Sequence, residues 1–269
     1  MASEDKKQKP GESVRSLARG LSVIESFSGS KSALTLSEVA KRTNLSRGTA
    51  RRLLLTLNEL GYVATDGKMF ALQPRLLTLC HAYLSSVAET DLMMPYMEMM
   101  LEGTTHISSS AAVLDEENVV FICGVPAKGL VHASMTVGLR LPTTATSMGR
   151  VLLSRQPLEV RNEILDKSAY EPLTPHTITD RAAIAELIEM ARRDGYCVSD
   201  QEIDETMKSV SVPILSREGD CKAAISITCH NAQRDIKELV EEFLPKLREA
   251  AQRISISLPN NPFRNLSTL

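Results

Sequence analysis

Residues 44–57 read NLSRGTARRLLLTL, with Arg47, Arg51 and Arg52 inside six positions and three consecutive leucines directly after them. At about 100° per residue, Ala50, Leu53, Leu54, Leu57 and Leu60 gather on one side of a helix. Gly48, Arg51 and Arg52 point largely away from that side, and Arg47 and Thr49 sit on its flanks. Ser46 is the expected N-cap and Gly61 the expected stop. Cations in the first turns oppose the helix dipole, at a cost on the order of a few tenths of a kcal/mol. Their repeated placement there points to an anion outside the chain.

The neighbouring sequence gives this helix a context. Upstream, TLSEVAKRT (35–43) opens with Thr35 and Glu38 in capping-box spacing, and Leu36, Val39 and Ala40 supply its buried face. Before it, VRSLARGLSVIESF (14–27) places Val14, Leu17, Ala18, Leu21, Ile24 and Phe27 at helical spacing. Downstream, YVAT (62–65) and MFALQ (69–73) read as short strands joined through Asp66 and Gly67, a hairpin signal. Helix, helix, turn, helix, hairpin is the order of a winged helix-turn-helix. The expected DNA contacts are Ser46, Arg47, Gly48, Thr49, Arg51 and Arg52, with Lys68 on the wing. Arginine can grip guanine O6 and N7, a threonine methyl can meet a thymine methyl, and a glycine lets backbone approach phosphate. The bland alternative is a solvated face on an ordinary surface helix.

Charge divides along the chain in the same way. Residues 1–75 carry 13 lysines and arginines against 7 acidic groups, whereas the remainder carries 18 against 26. A basic head on an acidic body implies that only the head meets a polyanion. No apolar run approaches the roughly 18 residues of a membrane span. MASEDKKQKPGES has no apolar core of a secretion signal, so a cytoplasmic location is expected. Cys80, Cys123, Cys197, Cys221 and Cys229 form no C-x-x-C pair, which argues for reduced, packed thiols and against a zinc site.

Beyond the hairpin, PRLLTLCHAYLSS (74–86) is helical and begins with Pro at a tolerated first-turn position. A methionine-rich helix over about 92–102 follows, its Met93, Met94, Met97, Met99 and Met100 read as core or subunit contact. SSAAVL (109–114), NVVFICGV (118–125), LVHASM (130–135), SVSVPIL (209–215) and KAAISITC (222–229) read as strands. TSMGRVLLS (146–154), AAIAELIEMARRDG (182–195) and residues 234–255 read as helices. The expected fold class is α+β: an N-terminal winged helix-turn-helix, a linker helix, and an α/β effector domain with a largely antiparallel sheet. The expected limits are a disordered leader at 1–12, the winged domain at 13–73, the linker at 74–90, the effector domain at 91–258 and a tail at 259–269.

SLARGLSVIESF, LTLSEVAKRTNLSRGTARRLLLTLNELGYV and VGLRLPTTATSMGRVLLS together resemble the IclR family of bacterial transcription regulators, over about residues 14–258. PRLLTLCHAYLSS is most similar to the subgroup controlling protocatechuate and 4-hydroxybenzoate catabolism. The resemblance implies a GAF-like effector domain that binds a small organic acid, aromatic or keto. It also implies homodimers or homotetramers on palindromic double-stranded operators. Carried over by motif, the pocket residues are Ser147 and Met148 in TSMG, Ser209 in KSVSVPI, Ser226 and Thr228 in AAISIT, and Asp200 in SDQEIDE.

The residues themselves agree in part. AISIT alternates Ala224, Ser226 and Thr228 on one face with Ile225 and Ile227 on the other, as a polar cavity backed by core requires; the alternative is Thr on a solvated face. TATSMGRVLL offers free N–H groups at a helix start, a cradle for carboxylate. Arg140 in VGLRLP offers a bidentate clamp, or else is an exposed loop arginine. No cofactor or metal is expected. GVPAKG lacks the Lys-Ser/Thr ending of a P-loop, and neither G-x-S-x-G nor G-x-G-x-x-G occurs. His81, His106, His132, His176 and His230 stand at no ligand spacing. The expected function is therefore a ligand-controlled, sequence-specific DNA-binding regulator without catalytic residues. The alternatives are a metabolic enzyme using the winged helix for protein contacts, and a nucleic-acid-organising protein without a ligand.

Overall fold

The computed structural model describes residues 14–28, 32–86, 89–128, 137–216, 218–230, 232 and 234–258, and divides into two units, Met1–Ser85 and Ser86–Leu269. The strand expected at 130–135 lies outside the described residues.

In the first unit, helices α1 (Arg15–Glu25), α2 (Leu36–Arg42) and α3 (Arg47–Glu59) pack with a small sheet of β1 (Leu34–Thr35), β2 (Val63–Thr65) and β3 (Met69–Leu72). The sheet order is β1-β3-β2, both pairings antiparallel. Thr35 caps α2 in a capping box: the Glu38 amide donates to its hydroxyl, and its own amide donates to the Glu38 carboxylate at 2.8 Å. Asn44, at φ +52°, turns the chain between α2 and α3, and the Leu45 amide closes that turn on the Ala40 carbonyl at 3.0 Å. Gly61, at φ +77°, ends α3 in the left-handed conformation that glycine adopts without strain. The core comprises Val23, Phe27, Leu34, Val39, Ala40, Ala50, Leu54, Leu57, Val63 and Phe70.

Two apolar stripes are buried only in part. In α1 the buried position is Val23, joined by Phe27 in the turn after the helix and with Ile24 packed beside them, while Val14, Leu17 and Leu21 are 63%, 64% and 49% exposed. The stripe Val14, Leu17, Ala18, Leu21 lies roughly 150° round the helical wheel from Val23 and Phe27. An apolar period thus identifies a sticky face without saying what it sticks to. In α3, Leu60 is exposed because it is the C-cap, already turning out of the helix. After β3, a 3-10 turn at Pro74–Leu76 leads into α4 (Leu77–Ser86).

In the second unit, six strands form one antiparallel sheet in the order β6-β5-β4-β9-β8-β7. They are β4 (Ile107–Asp115), β5 (Asn118–Val125), β6 (Arg140–Pro142), β7 (Cys197–Asp200), β8 (Met207–Leu215) and β9 (Cys221–His230). Helices α5 (Glu89–Met100) and α9 (Ile236–Ser257) pack on one face through Met93, Met97, Phe243, Leu247 and Ile254, against Ile225, Ile227, Val210 and Val212. Met99 is the exception in the methionine run, at 51% exposed. The opposite face carries α6 (Ser147–Ser154) and α8 (Arg181–Asp194), with α7 (Leu158–Lys167) packed beside them through Leu165. Residues 140–142, 158–167 and 197–200, read as no element from the sequence, are β6, α7 and β7. The first and last are short edge strands, β6 paired only with β5 and β7 only with β8.

Candidate functional site

In the first unit, α3 is held from behind by Ala50, Leu54 and Leu57. Its N-cap is complete: the Thr49 amide donates to Ser46 Oγ at 3.2 Å, and the two hydroxyls meet at 2.9 Å. Arg47, Gly48, Arg51 and Arg52 are exposed, and among the described residues none of the three arginines pairs with a carboxylate. A Cβ added at Gly48 would meet nothing within 4 Å. Nothing inside the unit therefore requires a glycine there, although glycine costs about 1 kcal/mol relative to alanine in a helix.

The β2–β3 hairpin is set by Asp66, whose Oδ1 accepts from the Lys68 amide at 2.8 Å and the Met69 amide at 2.7 Å. These two N–H groups, Met69 first, hold its carboxyl below the usual carboxylate range. Gly67 sits at φ +93° between them. The backbone of Lys68 is thereby fixed while its side chain is exposed.

In the second unit, a cavity of about 40 Å³ lies between the first turn of α6 and the sheet. Ser147, Met148, Ser209, Ser226 and Thr228 line it together with Phe121, Leu141, Thr146, Ser199, Ile203 and Met207. Register explains the grouping. Ser199 pairs with Ser209, Ser209 with Thr228, and Ser211 with Ser226, so these hydroxyls share one face of three adjacent strands. The Ser147 hydroxyl meets that of Ser209 at 2.8 Å and that of Ser211 at 2.6 Å. Thr146 caps α6, taking the Gly149 amide at 3.1 Å on its side chain and the Arg150 amide at 3.1 Å on its carbonyl. The Ser147 and Met148 amides, at the first two positions of α6, have no acceptor within that helix.

The same register moves two expected residues off the cavity. Leu141 pairs with Val119 on the cavity face, so its neighbour Arg140, paired with Val120, points to the other side. Arg140 there bonds Asp115 in an exposed ion pair. Ser199 lines the cavity, so Asp200 faces away beside Lys208, 3.8 Å from its ammonium. In both places a charged residue stands one position from the residue that faces the cavity, so the parity is wrong by one.

Ser199, Phe121, Leu141, Ile203 and Met207 were not read as lining. They arrive from separate strands and a loop and carry no local signal. Arg150 was legible in principle, as the lone charge in the apolar run MGRVLL. It is 1% exposed, and its Nη1 donates to Glu202 Oε1 at 2.6 Å. Burial opposes its charge, and the Glu202 carboxylate overrides that penalty and raises its affinity for the proton. Of the thiols, Cys123 and Cys221 are both pushed up to about 12 by burial, a level at which neither ionises near neutrality. Among the described residues no cluster of three potential metal ligands occurs, and no helix is long and apolar enough to cross a membrane.

These two sites, a capped helix presenting unpaired cations and a hydroxyl-walled cavity at a helix start, lie in regions with known counterparts. Residues 16–67 match the IclR helix-turn-helix domain, and residues 81–256 match the bacterial transcriptional regulator IclR C-terminal region. The Pca regulon regulatory protein of Pseudomonas putida is 35% identical over 240 residues, covering 89% of this chain and 82% of that protein. The p-hydroxybenzoate hydroxylase transcriptional activator of Acinetobacter baylyi is 34% identical over 246 residues, covering 90% of each. A solved IclR homologue from Microbacterium hydrocarbonoxydans, in complex with 4-hydroxybenzoate, is 30% identical with a TM-score of 0.74, covering 90% of this chain and 98% of that one. The family and these relatives are regulators of transcription rather than enzymes, and with both halves matched in order the chain belongs to the IclR family of DNA-binding transcriptional regulators.

Proposed function

We propose that operator binding by this regulator is controlled by a small aromatic carboxylate of the hydroxybenzoate class. The acid would sit between the first turn of α6 and the hydroxyl-bearing face of β8 and β9. One observation carries this reading: the first turn of α6, with its Ser147 hydroxyl, and the hydroxyls of Ser209, Ser226 and Thr228 line one cavity with the apolar side chains of Phe121, Leu141 and Met148. A benzoate divides its polarity the same way, with an anionic end for the helix start and a flat apolar ring. Ser209, Ser226 and Thr228 are placed for a ring hydroxyl, since a hydroxyl side chain can donate or accept. At about 40 Å³ the cavity is small for a ring. Entry would need Met148, Ile203 and Met207 to withdraw, and thioether side chains rearrange readily. The relative that holds 4-hydroxybenzoate adds support.

On the DNA side, α3 would enter the major groove with Arg47, Thr49, Arg51 and Arg52 toward base edges and phosphates. Ser46 would hold the helix start, Gly48 would permit close backbone approach, and Lys68 would meet the flanking phosphates. The exposed stripe Val14, Leu17, Leu21 on α1 is suited to a second copy, giving a homodimer, or a homotetramer built from two dimers, on a palindromic operator. Residues 74–90 would connect winged and effector domains, and the protein would work in the cytoplasm. Sequencing DNA that co-purifies with the protein defines the operator. Titrating 4-hydroxybenzoate and protocatechuate against that operator should shift its Kd by roughly 5- to 150-fold, the usual range of such coupling. No saturable binding of any hydroxybenzoate would overturn the effector assignment.

A further inference from the structure

The segment 201–207, which leads from β7 into the start of β8, contributes Ile203 and Met207 to the cavity lining. It contains a non-glycine residue in the left-handed region, Gln201 at φ +62°, a conformation that persists only where the surroundings enforce it. The enforcing contacts are specific. The Gln201 amide donates to the Met207 carbonyl at 2.8 Å, and Thr174 Oγ1 donates to the Gln201 carbonyl at 2.7 Å. Thr177 Oγ1 donates to the Glu202 carbonyl at 2.7 Å, and the Ile178 amide donates to Glu202 Oε2 at 3.3 Å. The strongest tie is from Arg150. Its fork grips both carboxylate oxygens of Glu202, at 2.6 and 2.5 Å, while its Nε donates to the Thr144 carbonyl at 2.9 Å.

Arg150 lies one turn along α6 from Ser147 and Met148, and Glu202 immediately precedes Ile203. From this juxtaposition we propose that Arg150 and Glu202 are a positioning pair, fixing the separation between the α6 end of the cavity and its 201–207 wall and so setting affinity for the acid. Neither residue touches the ligand. The proposal deepens the effector reading above and rests on it. A buried ion pair is a weak device for stability, because apolar replacements of similar volume are often tolerated as well or better. What a bidentate pair supplies is geometry, since both hydrogen bonds form in one orientation only. Five polar contacts converging on two consecutive residues would be an odd way merely to fill a core.

The test uses the full chain with Arg150→Met and Glu202→Leu combined, which strands no charge, and Arg150→Lys, which keeps the charge and loses the fork. Three readouts are taken: the urea midpoint, amide exchange across 199–207, and the affinity for 4-hydroxybenzoate. Positioning predicts a nearly unchanged midpoint, exchange at 199–207 faster by roughly tenfold or more with β8 and β9 still protected, and affinity weaker by about tenfold. Arg150→Lys should give the same pattern at smaller size. Unchanged exchange at 199–207 in the double variant overturns the proposal. So does a parallel loss of protection throughout the unit in both variants, which marks a merely structural role. If the unmodified protein binds no 4-hydroxybenzoate, the effector reading fails, and local exchange still decides whether the pair sets the wall.

Discussion

Gly48 and Gly149 each occupy the second or third position of a helix, and their surroundings are opposite. A Cβ at Gly48 would meet nothing within 4 Å, whereas one at Gly149 would lie 2.3 Å from both Cα and the carbonyl oxygen of Thr143. The first glycine is not needed by anything inside the chain; the second is forced by it. The arginines repeat the contrast. Arg51 and Arg52 are exposed without carboxylate partners, and Arg150 is buried with its guanidinium engaged on two sides. In the helix-turn-helix unit, unexplained residue types point outward to a partner. In the effector unit they point inward, to a shape that must be held.

The glycines give the largest expected effect and the sharpest way to break this contrast. Gly149→Ala should destabilise the effector unit by about 3 kcal/mol or more, since the clash is with backbone that cannot rotate away. A urea midpoint close to that of the parent would mean that the 143–145 turn yields easily. Gly48→Ala should instead stabilise α3, by up to about 1 kcal/mol. If α3 approaches phosphate closely, the same variant weakens operator binding. Unchanged operator affinity in Gly48→Ala would show that the glycine is tolerated there rather than used.

Next in size are the arginines. Arg51→Ala and Arg52→Ala should each weaken operator binding at fixed salt, by about 1–3 kcal/mol for a base contact. A phosphate contact would instead weaken binding to all sequences alike and reduce the salt slope by about 1. Affinity for the acid should not move in either variant. Operator affinities equal to the parent's would remove α3 from the interface.

Legibility follows the same division. Every element of the proposed DNA-reading face lies within about 35 consecutive residues, and its cap, turn and hairpin are each announced locally by Ser46, Asn44 and Asp66–Gly67. The cavity draws on α6, β5, β6, β7, β8, β9 and a loop. Its α6 end and its β8–β9 hydroxyls could be read because alternation within one strand is a local property. The short edge strands β6 and β7 contain three and four residues, too few for alternation to declare itself. Charge points to Arg140 and the family motif to Asp200, and in each case the neighbouring Leu141 or Ser199 holds the inward position. In α1 the failure differs: the apolar period was real, but the core took Val23 and Phe27 and left the more regular stripe outside.

A smaller effect should follow Ser147→Ala. Its hydroxyl joins those of Ser209 and Ser211, and losing it leaves the other two in search of partners, at a cost of about 1–3 kcal/mol. Affinity for a benzoate should fall as well, while operator binding in the absence of acid stays the same. Ser209→Ala removes a single neighbour and tests whether the β8 hydroxyl or the α6 end dominates. An acid affinity insensitive to both would place the ligand elsewhere in the unit.

The mildest expected response separates the units by pH. Asp66 accepts two amide bonds in its ionised form, so its folded pKa lies below the 3.8 of an unperturbed aspartate. A depressed carboxyl contributes order that is fully present above its unfolded pKa and is lost as pH falls through the folded one. Lowering the pH past 3.8 should therefore release the Lys68 and Met69 amides, followed as chemical-shift changes with a midpoint below that value. Asp66→Asn keeps an acceptor and should abolish the midpoint while leaving the hairpin closed at neutral pH. In the effector unit, Cys123 and Cys221 titrate near 12 and stay neutral throughout this range. A midpoint at or above 3.8 would mean that the two amide bonds do not select the carboxylate, and that Gly67 and the Thr65 hydroxyl, which bonds the Gly67 amide and the Met69 carbonyl, close the hairpin that carries Lys68.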